Sequence, residues 1–131
     1  MSNAKPISSD RRPGHGFRCA QSILQRGSGV SGIAEIGFAR RDGATRLAHL
    51  YQHDPLRVLF PAPEPDDIPM AVLLTTSGGL VAGDRLTITV RADAGAAAQV
   101  SAAAAEKIYR STRATTSIAQ HLSVAEGAWL E

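Results

Sequence analysis

Cysteine is nearly absent from the sequence, and the single cysteine, Cys19, excludes an internal disulfide bond. This usage leaves the compartment open and favours the cytosol. No apolar run approaches the ~20 residues that a membrane-spanning helix requires. The N-terminus also lacks the apolar core of a secretory signal peptide. These absences predict a soluble, cytoplasmic protein with no membrane partner.

The sequence also lacks the patterns of common catalytic and metal-binding sites. Its histidines are His15, His49, His53 and His121. His49 and His53 are four residues apart, but no cysteine or third ligand lies near them, which favours a structural role over a metal site. No order of Ser, His and Asp indicates nucleophilic catalysis, and Cys19 lies in a tail where nothing would hold a base against it. These residues therefore provide no persuasive nucleophilic or metal site.

Charge is unevenly distributed along the chain. Residues 1–32 carry five basic side chains and one acidic side chain, whereas the remainder carries nine basic and eleven acidic ones. The tail is rich in Gly and Ser, so it cannot bury enough apolar area to offset the entropy of ordering. It also lacks interleaved aromatic residues and a basic helix pattern, which argues against nucleic-acid binding. We predict a disordered basic tail over residues 1–32 and a folded domain over residues 33–131.

From Ile33 onward, apolar and polar residues alternate with the period of a β-strand. Arg41-Asp42-Gly43 is a hairpin signal, because an Asp-Gly pair tolerates the positive φ of a tight turn. Met70–Thr76 is continuously apolar and is predicted to be a central strand. An acidic, proline-rich loop over residues 61–69 precedes it. Further strands are predicted over residues 45–52, 56–60, 85–92, 108–111, 115–124 and 128–130.

The alanine-rich segment Ala94–Ala105 has two interpretations. Its alanines favour a helix that starts at Ser101, whereas Gly95 and the residues after it also fit a short strand. A new apolar run begins at Ala128 and the sequence stops at Glu131, so we expect a truncated chain. Strands with turns at this spacing predict an all-β sandwich or solenoid.

The stretch Thr75–Leu86 holds three glycines and one acid between two predicted strands. Glycine tolerates positive φ, so Gly78, Gly79 and Gly83 mark sharp reversals. Asp84 is placed to accept hydrogen bonds from the exposed backbone N–H groups of the turn. The stretch lacks the Gly-Lys-Ser/Thr of a phosphate-binding loop and the GxGxxG of a dinucleotide site. It is therefore predicted to be a tight turn and not a nucleotide site.

Three spaced blocks of residues resemble the urease accessory protein family UreD, which is called UreH in some organisms. The blocks are Gln52 with Pro55–Val58 and Pro61, then Thr75–Asp84, then Ala105–Ser111, and residues 122–131 are also similar to the middle of that family's sequences. The resemblance covers residues 33–131, the N-terminal half of the family's usual extent. It implies an all-β, β-helix-like or stacked-sheet fold with little helix, and it implies no catalysis.

The resemblance further implies a chaperone for metal-centre assembly. Members of this family act in nickel insertion: they bind the urease apoprotein and a helical UreF-type partner, which recruits a nickel-carrying UreG-type GTPase. Nickel is in transit, and no cofactor is tightly bound. Oxygen ligands suit such a transient route, because imidazole or thiolate sites would trap the metal. A generic β-rich interaction module with no nickel role is the alternative interpretation, and a small-molecule enzyme built on the glycine turn is the least favoured.

The motif positions of the family can be placed on this chain residue by residue. The resemblance implies a structural or path-lining role for Gly78, Gly79, Gly83, Asp84, Glu106, Tyr109, Arg110 and Ser111. Asp84 and Glu106 are the candidates for transient contact with nickel, and no firm metal site is assigned. Arg110 is expected to fix a neighbouring turn or carboxylate.

Overall fold

The computed structural model describes residues 29–62, 64, 67–103 and 105–131. These residues form β-strands and no helix, and hence no helix that could cross a membrane. The predicted all-β class is confirmed. The tail predicted to be disordered lies, over residues 1–28, outside the described residues. The strands are β1 (Ser31–Arg41), β2 (Ala44–His53), β3 (Leu56–Leu59), β4 (Met70–Thr75), β5 (Arg85–Ala92), β6 (Ala97–Ala102), β7 (Ser117–Val124) and β8 (Trp129–Leu130).

The strands form two four-stranded sheets, with the orders β2-β1-β5-β7 and β3-β4-β6-β8. Each sheet contains one antiparallel pair, β1 with β2 in the first sheet and β3 with β4 in the second. The later strands then join the two sheets in turn, and each pairs in parallel with its neighbour. Each connection from β4 onward, beginning with that between β4 and β5, therefore crosses from one sheet to the other. The β-helix-like stacking of the sheets stays a prediction.

The hairpin between β1 and β2 forms where the Asp-Gly pair predicted it. Asp42 and Gly43 have φ angles of 51° and 79°, and Arg41 pairs with Ala44 across them. The pairing register shifts once, between Gly37 and Phe38. Alternate residues of β1 therefore form an apolar face, and this face is turned toward the second sheet.

The core lies between the inner faces of the two sheets and forms one apolar cluster. Ala34, Ile36 and Phe38 of β1 are fully buried. In β5, Leu86, Ile88 and Val90 are all buried, in agreement with the predicted alternation of apolar and polar residues along the strands. Complete burial of a large apolar side chain stabilises a fold by roughly 1.5–3 kcal/mol. The second sheet contributes Leu56, Val58, Ala71 and Ala98 to the same cluster.

The folded domain begins earlier than the predicted boundary at Ile33, because Ser31 and Gly32 already belong to β1. Both residues pair in parallel with the start of β5. Val30 accepts a hydrogen bond from the Arg85 N–H at 2.9 Å. These backbone contacts order residues that composition alone assigned to the disordered tail.

Two other differences concern the second half of the chain. The helix considered from Ser101 does not form, because Ala97–Ala102 is β6 and the Ala103 N–H donates to the Leu73 carbonyl at 2.8 Å. Sheet pairing here outweighs the helix propensity of alanine. The strand predicted over Ile108–Ser111 is wrong: within the described residues it contains one isolated bridge, from Ile108 to Leu80. The remaining predicted strands are confirmed within two residues at each end, with β4 in a central position.

Candidate functional site at the glycine turn

The glycine turn, residues 77–84, connects strands of different sheets. It follows β4 of the second sheet and precedes β5 of the first. It is therefore not a hairpin turn, and it carries the chain across the gap between the sheets. A second segment, residues 105–116, lies alongside it, parallel to it at the bridge between Leu80 and Ile108, and leads into β7. The two blocks singled out in the sequence thus meet in space.

Asp84 is the buried anchor of the turn, with 3% of its surface exposed. Its Oδ2 accepts a hydrogen bond from the Val81 N–H at 2.8 Å, and its Oδ1 accepts one from the Val30 N–H at 2.9 Å. The predicted acceptance of turn N–H groups by Asp84 is observed. The Asp84 carbonyl also accepts the Ser117 N–H at 2.9 Å. One residue therefore joins the chain before β1, the glycine turn and the start of β7.

Gly29 makes a close backbone approach to the same turn. A Cβ built on Gly29 would lie 2.2 Å from the Gly83 carbonyl carbon and 2.6 Å from the Asp84 nitrogen. Any side chain at position 29 would have to displace this backbone. Sequence reasoning missed Gly29 and Val30 as parts of the site, because glycine in a Gly/Ser-rich tail indicates disorder and not a specific contact.

The second segment is held to the turn by backbone hydrogen bonds on both sides of Leu80. The Leu80 N–H donates to the Lys107 carbonyl at 2.8 Å, and the Tyr109 N–H donates to the Leu80 carbonyl at 2.9 Å. Gly79 has a φ of 131°, and a Cβ on it would lie 2.7 Å from Tyr109 Cε2 and 2.9 Å from the Lys107 carbonyl oxygen. Only glycine fits this contact without a shift of the second segment.

Side chains reinforce the same contact. The Tyr109 hydroxyl lies 3.5 Å from the Gly78 carbonyl oxygen, to which it donates. Lys107 Nζ lies 5.8 Å from the centroid of the Tyr109 ring, within the range of a cation–π interaction. At the far end of the segment, the Thr116 hydroxyl donates to the Val81 carbonyl at 2.8 Å. The structure therefore brings Gly78, Gly79 and Tyr109 into one interlocked unit.

Glu106 lines an apolar groove between the sheets. The Thr75 hydroxyl lies 3.0 Å and 2.9 Å from the two Glu106 carboxylate oxygens and donates to them. The groove has a volume of about 590 Å³. Its apolar walls include Leu73, Val100, Ile88, Val90, Ile118 and Leu122, and Gly78, Gly79, Glu106, Lys107 and Gln120 also line it. The exposed carboxylate of Glu106 thus lies on a groove whose walls are largely apolar.

The other predicted residues of the second block are at the surface. The Ser111 hydroxyl accepts the Arg113 N–H at 3.1 Å. Arg110 is exposed and makes no hydrogen bond or ion pair with any residue in the described part of the chain. The expectation that Arg110 fixes a neighbouring turn or carboxylate stays a prediction.

The two histidines of β2 hydrogen-bond residues of β1. β2 extends to His53, and the register pairs His49 with Gly37 and His53 with Ile33. His49 Nε2 lies 3.1 Å from Oε2 of the buried Glu35. Across residues 29–62, 64, 67–103 and 105–131, no three His, Cys, Asp or Glu side chains are grouped so that they could hold a metal ion.

Comparison with known proteins gives one consistent family. A sequence model described as "UreD urease accessory protein" matches residues 30–131. The urease accessory protein UreD of Magnetococcus marinus is 44% identical over 103 residues, which are 79% of this chain and 36% of the relative. UreD of Rhodopseudomonas palustris (strain HaA2) is 38% identical over 114 residues, which are 85% of this chain and 40% of the relative. The chain thus spans well under half the length of these curated relatives.

Replacing Asp84 with asparagine tests the anchor. Asp84→Asn puts an amide N–H₂ group against a backbone N–H of Val30 or Val81, so one partly buried donor loses its acceptor. We expect the free energy of unfolding to fall by about 1–3 kcal/mol, measured by urea denaturation. The matched control is Asp93→Asn, because Asp93 pairs with Arg91 at the surface and such pairs contribute less than ~1 kcal/mol. Equal losses for the two variants would contradict the anchoring role.

Adjacent glycines provide a test of the contact with the second segment. Gly79→Ala introduces a Cβ against Tyr109 and Lys107 at a positive φ, and we expect a loss of about 1–3 kcal/mol. Gly78→Ala has no heavy atom within 4 Å of the new Cβ, and we expect a change of less than ~0.5 kcal/mol. The measurement is the midpoint of urea unfolding for each variant. A loss at Gly78 as large as that at Gly79 would show that the close approach is not the cause.

Proposed function

The chain belongs to the UreD family of urease accessory proteins, and from that premise we propose that it is a cytoplasmic, non-catalytic scaffold for urease maturation. The observation that carries the proposal is the family match over residues 30–131. The relatives' names describe accessory proteins of urease, which supports a role in maturation of that enzyme and not in its catalysis. The glycine turn and the second segment, both within the match, supply the rigid unit of this scaffold.

The proposed task is nickel insertion into the urease active site. In this proposal the scaffold binds the urease apoprotein and a helical UreF-type partner, and a UreG-type GTPase joins through that partner and supplies the metal. Nickel is the cargo of the complex and is not retained. Carboxylate and carbonyl oxygens hold such a metal less tightly than imidazole or thiolate groups do, which suits release.

The two carboxylates proposed for the site have different roles. Both Asp84 oxygens accept backbone N–H groups and the residue is buried, so we assign Asp84 a structural role. Glu106 is exposed, lines the groove and, among the described residues, accepts hydrogen bonds from the Thr75 hydroxyl alone. We assign Glu106 the contact with nickel in transit.

A chimeric protein tests the proposal directly. Residues 30–131 of this chain replace the matched region of the Magnetococcus marinus relative, so that the remaining length of that relative is kept. The chimera is produced with urease subunits and the other accessory proteins in cells that lack their own UreD-family protein. We expect it to co-purify with urease and to raise the nickel content and activity of the enzyme. Failure to bind urease would overturn the scaffold role and favour a β-rich interaction module without a nickel role.

Glu106→Gln in the chimera separates binding from metal transfer. Glutamine keeps an acceptor for Thr75 but removes the negative charge, so we expect complex formation to persist and the nickel content of urease to fall several-fold. Glu126→Gln, in the turn between β7 and β8, is the matched control and should leave nickel content unchanged. Full nickel loading with Glu106→Gln would remove Glu106 from the route while leaving the scaffold role intact.

A further inference from the structure

Basic side chains outnumber acidic ones in the second segment, where Glu106 is the one acidic residue. From Lys107 to Ala125 the sequence contains no Asp or Glu, and Lys107, Arg110 and Arg113 fall within the first seven residues. Every described residue from Ala105 to Thr115 is exposed. In the facing glycine turn the one acid is Asp84, which is buried and hydrogen-bonded to backbone N–H groups. The glycine turn therefore does little to compensate the positive charge of the second segment.

Exposed apolar side chains lie on the same segment and on the glycine turn bridged to it. Val81, Ile108 and Tyr109 are 49%, 55% and 50% exposed. The backbone bridge between Leu80 and Ile108 places them on neighbouring chain segments. Arginine, tyrosine and exposed aliphatic groups together are typical of the centre of protein interfaces, where lysine and acidic residues are depleted. We name Val81, Ile108, Tyr109, Arg110 and Arg113 the Arg110 surface.

Hydrogen bonds hold the second segment in place beneath the Arg110 surface. Leu80 donates to the Lys107 carbonyl and accepts from the Tyr109 N–H, and Val81 accepts from the Thr116 hydroxyl. The guanidinium groups of Arg110 and Arg113 form no ion pair with any residue that the structure describes. A planar guanidinium binds a carboxylate through two parallel hydrogen bonds, so two such groups on a fixed base select for carboxylates at a defined spacing.

We propose that the Arg110 surface docks an acidic segment of a protein partner, whose carboxylates pair with Arg110 and Arg113 and whose apolar side chain packs on Ile108 and Tyr109. Nucleic acid is a poorer match, because its binding relies on many phosphate contacts and on stacking of bases on several aromatic rings. This surface offers one ring, that of Tyr109. The partner need not be urease, so the docking site can be confirmed or rejected independently of the proposed function.

Photo-crosslinking in cells tests the docking site. A benzophenone amino acid replaces Thr112, an exposed residue between the two arginines, in the chimera described above. After irradiation, the crosslinked peptide is identified by mass spectrometry, and nucleic acid is assayed in the same product. We expect a peptide in which Asp and Glu outnumber Lys and Arg. A neutral or basic peptide, attached nucleic acid, or no product would overturn the proposal.

Charge reversal provides the second measurement. The double variant Arg110→Glu with Arg113→Glu should lower the crosslink yield about tenfold, since close charge pairs at interfaces contribute this much or more. The matched control reverses Arg41 and Arg46, which are also exposed and change the net charge equally. Circular dichroism checks that both variants keep the β-sheet signal. Equal losses in the two would show general electrostatic attraction and overturn the specific site; a retained crosslink without urease activation would reject only the maturation role.

Discussion

The carboxylate of Asp84 is the contact on which the arrangement of the glycine turn depends. A buried carboxylate is costly unless hydrogen bonds replace its lost water, and here both oxygens accept backbone N–H groups, from Val30 and Val81. Those two residues belong to chain segments far apart in sequence. Parallel pairing of β1 with β5 starts directly beside this contact, at Ser31 and Arg85. Asp84 thus links the residue directly before β1 of the first sheet to the glycine turn that follows β4 of the second sheet.

Local sequence patterns predicted those features that neighbouring residues decide. The Asp42-Gly43 hairpin, the inward face of β5 and the Asp84–Val81 hydrogen bond all follow from residues within a few positions of one another. Long-range pairing was beyond such patterns. Val30 is ordered by Asp84, the alanines of β6 are ordered by β4, and Ile108 meets a turn where a strand was predicted. In each case the partner that decides the conformation lies 25 or more residues away, out of reach of periodicity and propensity.

The same crossing of the chain between sheets explains where the functional surfaces lie. The glycine turn spans the gap between the sheets, so the groove lies beside it, and Glu106 lines that groove. The second segment, clamped on the turn through Leu80, exposes its arginines on the outside. The same unit therefore places Glu106 on the groove and leaves Arg110 and Arg113 exposed to solvent. This division suits a scaffold that both binds a partner and lets a metal pass, as proposed for this member of the UreD family.

Native-state hydrogen exchange of the Val30 and Val81 amides is the most direct test of the Asp84 anchor. Both side chains are half exposed and both residues lie outside the strands, so exposure alone would predict fast exchange. If the carboxylate joins the segments as one unit, these amides open only with the core, and we expect protection similar to that of Ile36 and Val90. Exchange as fast as that of the surface Arg113 amide would contradict the anchor and separate the chain before β1 from the glycine turn.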